Sequence, residues 1–290
     1  MAVVNTNIGA SVAQQALVRN ERAMSAAMEQ LSTGKKINSA ADDAAGLAIS
    51  SRMTAQIRGL DQAVRNANDG ISMVNTAEGA MVEVTAMLQR MREITVQSAN
   101  GTTAADDRTF LNKEYQALAT EIQRVASNTQ WNGRDILTGS AASTSSSAVS
   151  FQVGANGAQT ISVTIGDISS TGNSTFGALQ SSGASGSIAT TTAASAQTVA
   201  TSTLTAIDAA IKDISTKRAD LGAASNQLTH AVDNLTSIKI NAEESRSRIL
   251  DTDYAQATSE LARTQIIQQA GTAMLAQANQ LPQTVLALLQ

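Results

Sequence analysis

Residues 207–249 read "IDAAIKDISTKRADLGAASNQLTHAVDNLTSIKINAEESRSRI", and an apolar residue returns at every seventh place. Ile207, Ile214, Leu221, Leu228, Leu235, Ala242 and Ile249 make six heptad steps without a miss. An α-helix turns once in about 3.6 residues, so a strict sevenfold repeat keeps one narrow stripe against a helix wound around it. That is a coiled-coil seam, more specific than the broad apolar face of a surface helix. Arg218, Ser225 and Val232 occupy the companion positions, so the other half of the seam is only partly apolar.

A partner lies upstream. Leu60, Val64, Ala67, Ile71, Val74, Ala77, Met81, Val84, Leu88 and Met91 are spaced 4-3-4-3-3-4-3-4-3. This predicts a long helix over residues 44–99, with a heptad seam and one short step, a stammer, between Ile71 and Ala77. Gly59, Gly70 and Gly79 each cost such a helix about 1 kcal/mol relative to Ala, so partner helices must offset them. The composition agrees. Aromatics are 2% of the chain against 42% hydrophobic residues, and Pro282 is the single proline. The apolar mass is aliphatic, which suits helix-on-helix packing, and almost nothing interrupts a long helix.

Further elements flank these. Val4, Ile8, Val12, Leu17, Met24, Met28 and Leu31 mark an amphipathic helix that ends at Gly34, a natural left-handed cap. In "INSAADDAAG" (37–46), Ser39 is expected to cap a restarting helix, with Asp42 and Asp43 complementing its dipole. "NGTTAADD" (100–107) reads as a turn into a helix carrying Leu111, Leu118, Ile122 and Val125, followed by turns in "NTQWNGRDIL" (128–137). "FQVGANGAQTISVTI" (151–165) alternates around "ANG" and predicts a β-hairpin. Between Asp135 and Asp208 the only charged residue is Asp167, and 169–202 reads as a small β element or loop.

Residues 1–18 and 264–290 carry no ionisable side chain. Each has an apolar stripe, Val4-Ile8-Val12 at one end and Ile267-Ala270-Met274-Ala278-Leu281-Val285 at the other. The two helices are expected to pair. Their remaining faces are Ala, Gln, Asn and Thr, which fits contact with identical copies, because no charge is desolvated when copies crowd together. Val4, Ile8, Val12, Met274, Leu281, Val285, Leu286 and Leu289 are the expected polymer contacts. Pro282 is expected to break this helix or to begin a last short one.

Several function classes recede. Net charge is −4 and no basic stripe appears, which argues against a nucleic-acid partner. There is no cysteine, hence no disulfide or thiolate metal site. Glutamines break the apolar run after Thr264, so a membrane span is not expected, and the N-terminus lacks the basic region of a cleaved secretory leader. The lone His230 lies off the seam, Asp251 and Asp253 read as a helix cap, and no phosphate loop or nucleophile–base pair is visible, so neither enzymatic activity nor a cofactor is expected.

The stretches "INSAADDAAGLAIS", "LQRMREITVQSANGT", "NTQWNG", "FQVGANGAQTISV", "RADLGAASNQL", "NLTSIKINAEESRSRILDTDYA" and "QANQLPQTVLALLQ" together resemble bacterial flagellin over residues 1–165 and 205–290, in a short form with a reduced outer region. The resemblance implies a mainly α fold of long antiparallel coiled-coil arms with a small hairpin insert. It implies a structural subunit that self-assembles into the helical filament used for swimming. Export would run through the flagellar type III apparatus, with an export chaperone and a filament cap protein as partners, and the filament would be extracellular. A host Toll-like receptor would contact a patch at Arg90, Ile94, Gln97 and Glu114. The implied layout is a terminal core helix and connector (1–43), a first coiled-coil half with the hairpin (44–165), a variable Ser/Thr-rich segment (166–203), a second coiled-coil half (204–250) and a C-terminal core helix (251–290). Its seam would run through Leu60, Ile71, Val74, Met81, Leu88, Ile207, Ile214, Leu221, Leu228 and Leu235. Other readings of the same helices are a monomeric secreted adhesin or translocator, or a hook–filament junction protein.

Overall fold

The computed structural model describes residues 7–139, 148–169, 172–180, 187–188 and 193–288, and only the backbone of 180, 193, 194, 196 and 281–288. In chain order the elements are α1 (Ile8–Thr33), α2 (Ala44–Ser98), α3 (Ala105–Asn128), β1 (Gln130–Trp131), β2 (Arg134–Asp135), β3 (Ala148–Gln152), β4 (Thr160–Thr164), α4 (Ser174–Gln180), α5 (Ala193–Leu250) and α6 (Tyr254–Leu288). They fall into two compact units. One comprises residues 1–57 with 240–290, the other 58–239.

The second unit is built on α2 and α5, which run antiparallel. Asp61 pairs with Lys239 at 2.6 Å, Glu78 with Arg218 at 3.5 Å and Arg92 with Asp208 at 2.9 Å, so one number falls as the other rises. These pairs flank a seam in which Val74, Met81, Leu88, Ile207, Ile214, Leu221 and Leu228 are fully buried and Leu60 and Leu235 nearly so. With Met73 and Ile94 buried beside them, the places 60, 63, 67, 70, 74, 77, 81, 84, 88, 91, 95 and 98 form one buried stripe of α2. Their spacing alternates 3 and 4 throughout. The expected stammer is therefore absent. The seam passes through Ala63 and Gly70, while Val64 and Ile71 lie half-buried at its margin.

Gly70 explains the misreading. It has no side chain to register as apolar, yet its bare backbone is the floor on which other residues pack. A Cβ there would stand 3.2 Å from both Leu228 Cδ1 and Phe151 Cδ1. Three turns earlier, a Cβ on Gly59 would stand 3.0 Å from Ala155 Cβ. The β3–β4 hairpin reaches α2 at both glycines. Its register pairs Phe151 with Ile161 and Val149 with Val163, and Asn66 Nδ2 donates to Gln152 O at 3.0 Å beside it.

Helix α3 adds Tyr115, Ala119, Ile122 and Ala126 to this core. Its junction with α2 is closed by the buried Arg108, whose Nε donates to Ser98 O at 3.2 Å. A buried cation is tolerable only when hydrogen-bonded, and here it satisfies a carbonyl at a helix end. The tight turn after α3 places Asn132 (φ 50°) and Gly133 (φ 74°) between β1 and β2, the Asn-Gly pair that a two-residue hairpin of this hand favours. The stretch expected as β or loop is partly helical. It contains α4, whose Phe176 and Leu179 are buried, and the first turns of α5. There the heptad continues upstream of Ile207 in Thr203 and Ala200, both buried but too small and polar to register as a stripe.

Glycines 70 and 79 give opposite expectations. A Cβ on Gly79 meets nothing within 4 Å. Gly79→Ala should raise unfolding stability by about 1 kcal/mol, because the exposed helix backbone loses freedom in the unfolded chain. Gly70→Ala should bring no gain, since the Phe151 ring and Leu228 must shift to admit the methyl group. Urea unfolding midpoints of the two variants check the pair.

Candidate functional site: the terminal helix pair and the α2–α3 surface

In the first unit, α1 and α6 pack antiparallel. The α1 places that are buried or half-buried are Ala10, Ala13, Leu17, Asn20, Met24, Ala27, Gln30 and Leu31. Those of α6 are Ala257, Glu260, Leu261, Thr264, Gln268, Gly271, Leu275 and Ala278. Apart from Gln30 and Glu260, both sets are heptads built largely of small or polar residues. The backbones approach closely: a Cβ on Gly271 would stand 2.6 Å from Leu17 Cδ2.

Two amides bridge the seam. The buried Asn20 donates through Nδ2 to Thr264 O at 2.8 Å and to Gln268 Oε1 at 3.1 Å. Asn7 donates through Nδ2 to Ala278 O at 2.8 Å while its Oδ1 accepts from Ala10 N at 3.0 Å, capping α1. At the far end Gly34 (φ 69°) closes α1 in the left-handed conformation, as expected. Lys36 N donates to Leu250 O at 2.7 Å and Thr252 N to Gly34 O at 3.0 Å, holding the two chain reversals together.

The stripes expected to bury each other do not. Ile8 is 63% exposed, Val12 61%, Ile266 67% and Met274 66%, with Met28 and Ile267 exposed as well. The helices meet instead through the face that carries Asn20. A polar amide inside a helix pair costs about 1–3 kcal/mol if left without partners, so the face that satisfies it fixes the pairing. The large aliphatic side chains are left outside. Val4 and Leu289 lie outside the described residues, as do the side chains of Leu281, Val285 and Leu286, whose backbone continues α6. That helix runs unbroken through Pro282, against the expected break.

The connector to α2 also differs from expectation. Asp42 is the acceptor, taking Ser39 N at 2.8 Å, Asn38 N at 3.0 Å and Ser39 Oγ at 3.1 Å, which together hold its carboxyl below the ordinary value. Asp43, not Ser39, caps α2 by accepting from Gly46 N at 2.9 Å. Asp253 Oδ1 likewise accepts from Ala255 N at 2.9 Å at the start of α6.

The patch on α2 and α3 belongs to the second unit. Arg90 donates from Nε and Nη2 to Glu114 Oε1 at 2.9 and 2.8 Å and from Nη1 to Glu93 Oε2 at 3.1 Å. Gln97 is exposed beside a shallow groove that it shares with Phe110 and Glu114. Ile94, expected on this surface, is instead wholly buried. It stands one turn past Met91 and adds to the core that α3 covers. His230 is an exposed helical residue.

The amides and Gly70 had a readable signal. Ala10-Leu17-Met24-Leu31 and Ala13-Asn20-Ala27 each repeat every seven residues, as do Ala257-Thr264-Gly271-Ala278 and Leu261-Gln268-Leu275. Periodicity that counts small and amide residues finds this seam; periodicity that counts only large aliphatic ones finds the outer face.

Two family patterns together cover most of the chain. The sequence pattern of the bacterial flagellin N-terminal helical region matches residues 4–142, and that of the C-terminal helical region matches residues 204–289. A flagellin of Halalkalibacterium halodurans is 43% identical over 288 residues, covering 99% of this chain and 100% of its own. Flagellin A of Vibrio cholerae is 38% identical over 380 residues, covering 99% of each chain. The crystal structure of Bacillus cereus flagellin, 30% identical, aligns with 59% of this chain and 88% of its own at a TM-score of 0.47.

The Asp42 contacts carry a pH dependence. A carboxyl whose folded value is depressed stabilises the fold above its unfolded value, near 4, and this contribution is lost as pH falls through the folded value. Amide exchange at Asn38 and Ser39 should therefore accelerate as pH drops below about 4, after correction for the intrinsic rate, and Asp42→Asn should remove that change.

Proposed function

The chain belongs to the bacterial flagellin family and is a structural subunit of the extracellular flagellar filament, and from that premise we propose that the outer face of its terminal helix pair is the surface by which copies join. The observation that carries this is the exposure of Ile8, Val12, Ile266 and Met274 on helices whose outward faces hold no charge before Arg19 or after Arg263. Burying each such side chain against a neighbour stabilises contact by about 1.5–3 kcal/mol, before the entropy of ordering is subtracted. Val4, Leu281, Val285, Leu286 and Leu289, the other contacts expected from the sequence, lie outside the residues whose side chains are described. A flagellin belongs to a structural protein family, and the role proposed for this surface is mechanical.

The finer partners belong to the same proposal. An export chaperone would shield the aliphatic end of α6 before assembly, the flagellar type III apparatus would carry the chain out, and a cap protein would guide its insertion. The Toll-like receptor reading is supported by the exposed Arg90–Glu114 pair and by Gln97, without Ile94. Exposed pairs of this kind contribute little to stability, which leaves the surface free to serve recognition.

Two measurements test these readings. Replacing outer-face residues with charge, as in Ile266→Glu and Met274→Glu, should abolish or severely slow growth from filament seeds. The melting of the α2–α5 unit should be unaffected; normal growth of both variants overturns the assembly surface. Arg90→Ala should lower receptor signalling by free subunits about tenfold, the scale of losing one charge-assisted contact, with filament growth tested alongside. Unchanged signalling removes Arg90 from the receptor surface.

A further inference from the structure

Pro282 sits inside α6, which is helical from Tyr254 to Leu288. A proline nitrogen carries no hydrogen, so this position cannot donate to the carbonyl four residues earlier, that of Ala278. A helix carbonyl deprived of its donor must find another or remain unsatisfied. Asn7 Nδ2, from the other helix of the pair, donates to Ala278 O at 2.8 Å. The same side chain caps α1 through Oδ1. One amide thus closes the start of α1 and the gap in α6 together.

We infer that Asn7 supplies across the helix pair the hydrogen bond that Pro282 withholds, and that this contact is the register stop of the terminal helices. Small residues recur at heptad places on both sides of the seam, at Ala13 and Ala27 around Asn20 and at Ala257, Gly271 and Ala278 around Thr264. Packing alone sets the register at few places, chiefly where Leu17 lies against Gly271, because most of the small residues would still meet small residues after a slip by one heptad. The carbonyl freed by the proline discriminates well. In any slipped register Asn7 moves about 10 Å along the partner, at 1.5 Å per residue, and the Ala278 carbonyl faces no amide. The Asn20 contact to Thr264 and Gln268 makes a second stop further along the same seam. Two stops at separate heights admit one alignment. Asn7 is therefore a positioning residue for assembly, since a slipped pair presents Ile8, Val12, Ile266 and Met274 in the wrong relation to neighbouring copies.

The inference rests on the proposed use of the terminal pair in the filament. Its test is a double-mutant cycle on the full-length chain, read as the critical concentration for growth from wild-type filament seeds. Asn7→Asp keeps the oxygen that caps α1 and removes the donor. Pro282→Ala restores a backbone N–H to its helix position. Asn7→Asp alone should raise the critical concentration about fivefold or more, the scale of one lost hydrogen bond. In the Pro282→Ala background the same change should cost less than about twofold, because the carbonyl then has its own donor. An equal cost in both backgrounds overturns the link while leaving the assembly surface standing; unimpaired growth of the outer-face charge variants sinks that surface instead. Should Pro282→Ala fail to polymerise, amide exchange on Asn7→Asp filaments decides. Faster exchange confined to residues around 275–285 supports the link, and exchange equal to wild type there overturns it.

Discussion

The hydrogen bonds that Asn20 sends to Thr264 and Gln268 decide what the terminal helices hide and what they show. Each helix has two faces able to pair, one small and polar, one large and aliphatic. Burial energy by area alone favours the aliphatic face. The pair nevertheless closes on the small, polar face, where the buried amide is partnered and its hydrogen bonds fix the alignment. Once that face is inside, Ile8, Val12, Ile266 and Met274 have nowhere to be but outside. The capacity to join other copies thus follows from how the pair closes.

The α2–α5 unit obeys the opposite rule. Its seam is filled by Met, Leu, Ile and Val, with the hairpin and α3 completing the cover, so the apolar area of the seam is buried within the chain. Small residues are the exception there, and Gly70 and Gly59 mark the places where β3–β4 comes down onto helix backbone. A wide seam of large side chains stands on its own burial. A close seam of Ala, Gly and Thr relies on backbone proximity and hydrogen bonds, and retains its large side chains for use elsewhere.

What was legible in the sequence follows from that contrast. The α5 heptad was plain because all its repeating residues are apolar and most are large, and the hairpin was plain because Phe151, Ile161 and Val163 alternate around a Gly-rich loop. The α2 seam was read one place off at Ala63 and Gly70, since a missing side chain looks like a missing contact. The terminal seam was read on the wrong face for the same reason: Ala10, Ala13 and Gly271 contribute proximity, not area. Ile94 was placed on the surface by likeness to a motif, yet its own position, three residues after Met91, turns it inward. Ser39, expected to accept amides, instead donates to Asp42, because both residue types suit a helix start and only the backbone path settles which one receives the amides.

The two units also divide stability from assembly. A subunit of a polymer must hold a shape of its own, yet it must leave substantial apolar surface unburied until neighbours arrive. Concentrating large side chains in the α2–α5 seam meets the first need. Building the terminal seam largely from small residues meets the second, but it leaves shape complementarity to set register at few places, such as Leu17 against Gly271. Directional polar contacts restore that information at little cost in area, because a hydrogen bond tolerates a shift of a few tenths of an ångström and not of a helical turn. On this reasoning the amides of the terminal pair are required by the smallness of its seam, and the smallness of its seam by the aliphatic surface it must leave free.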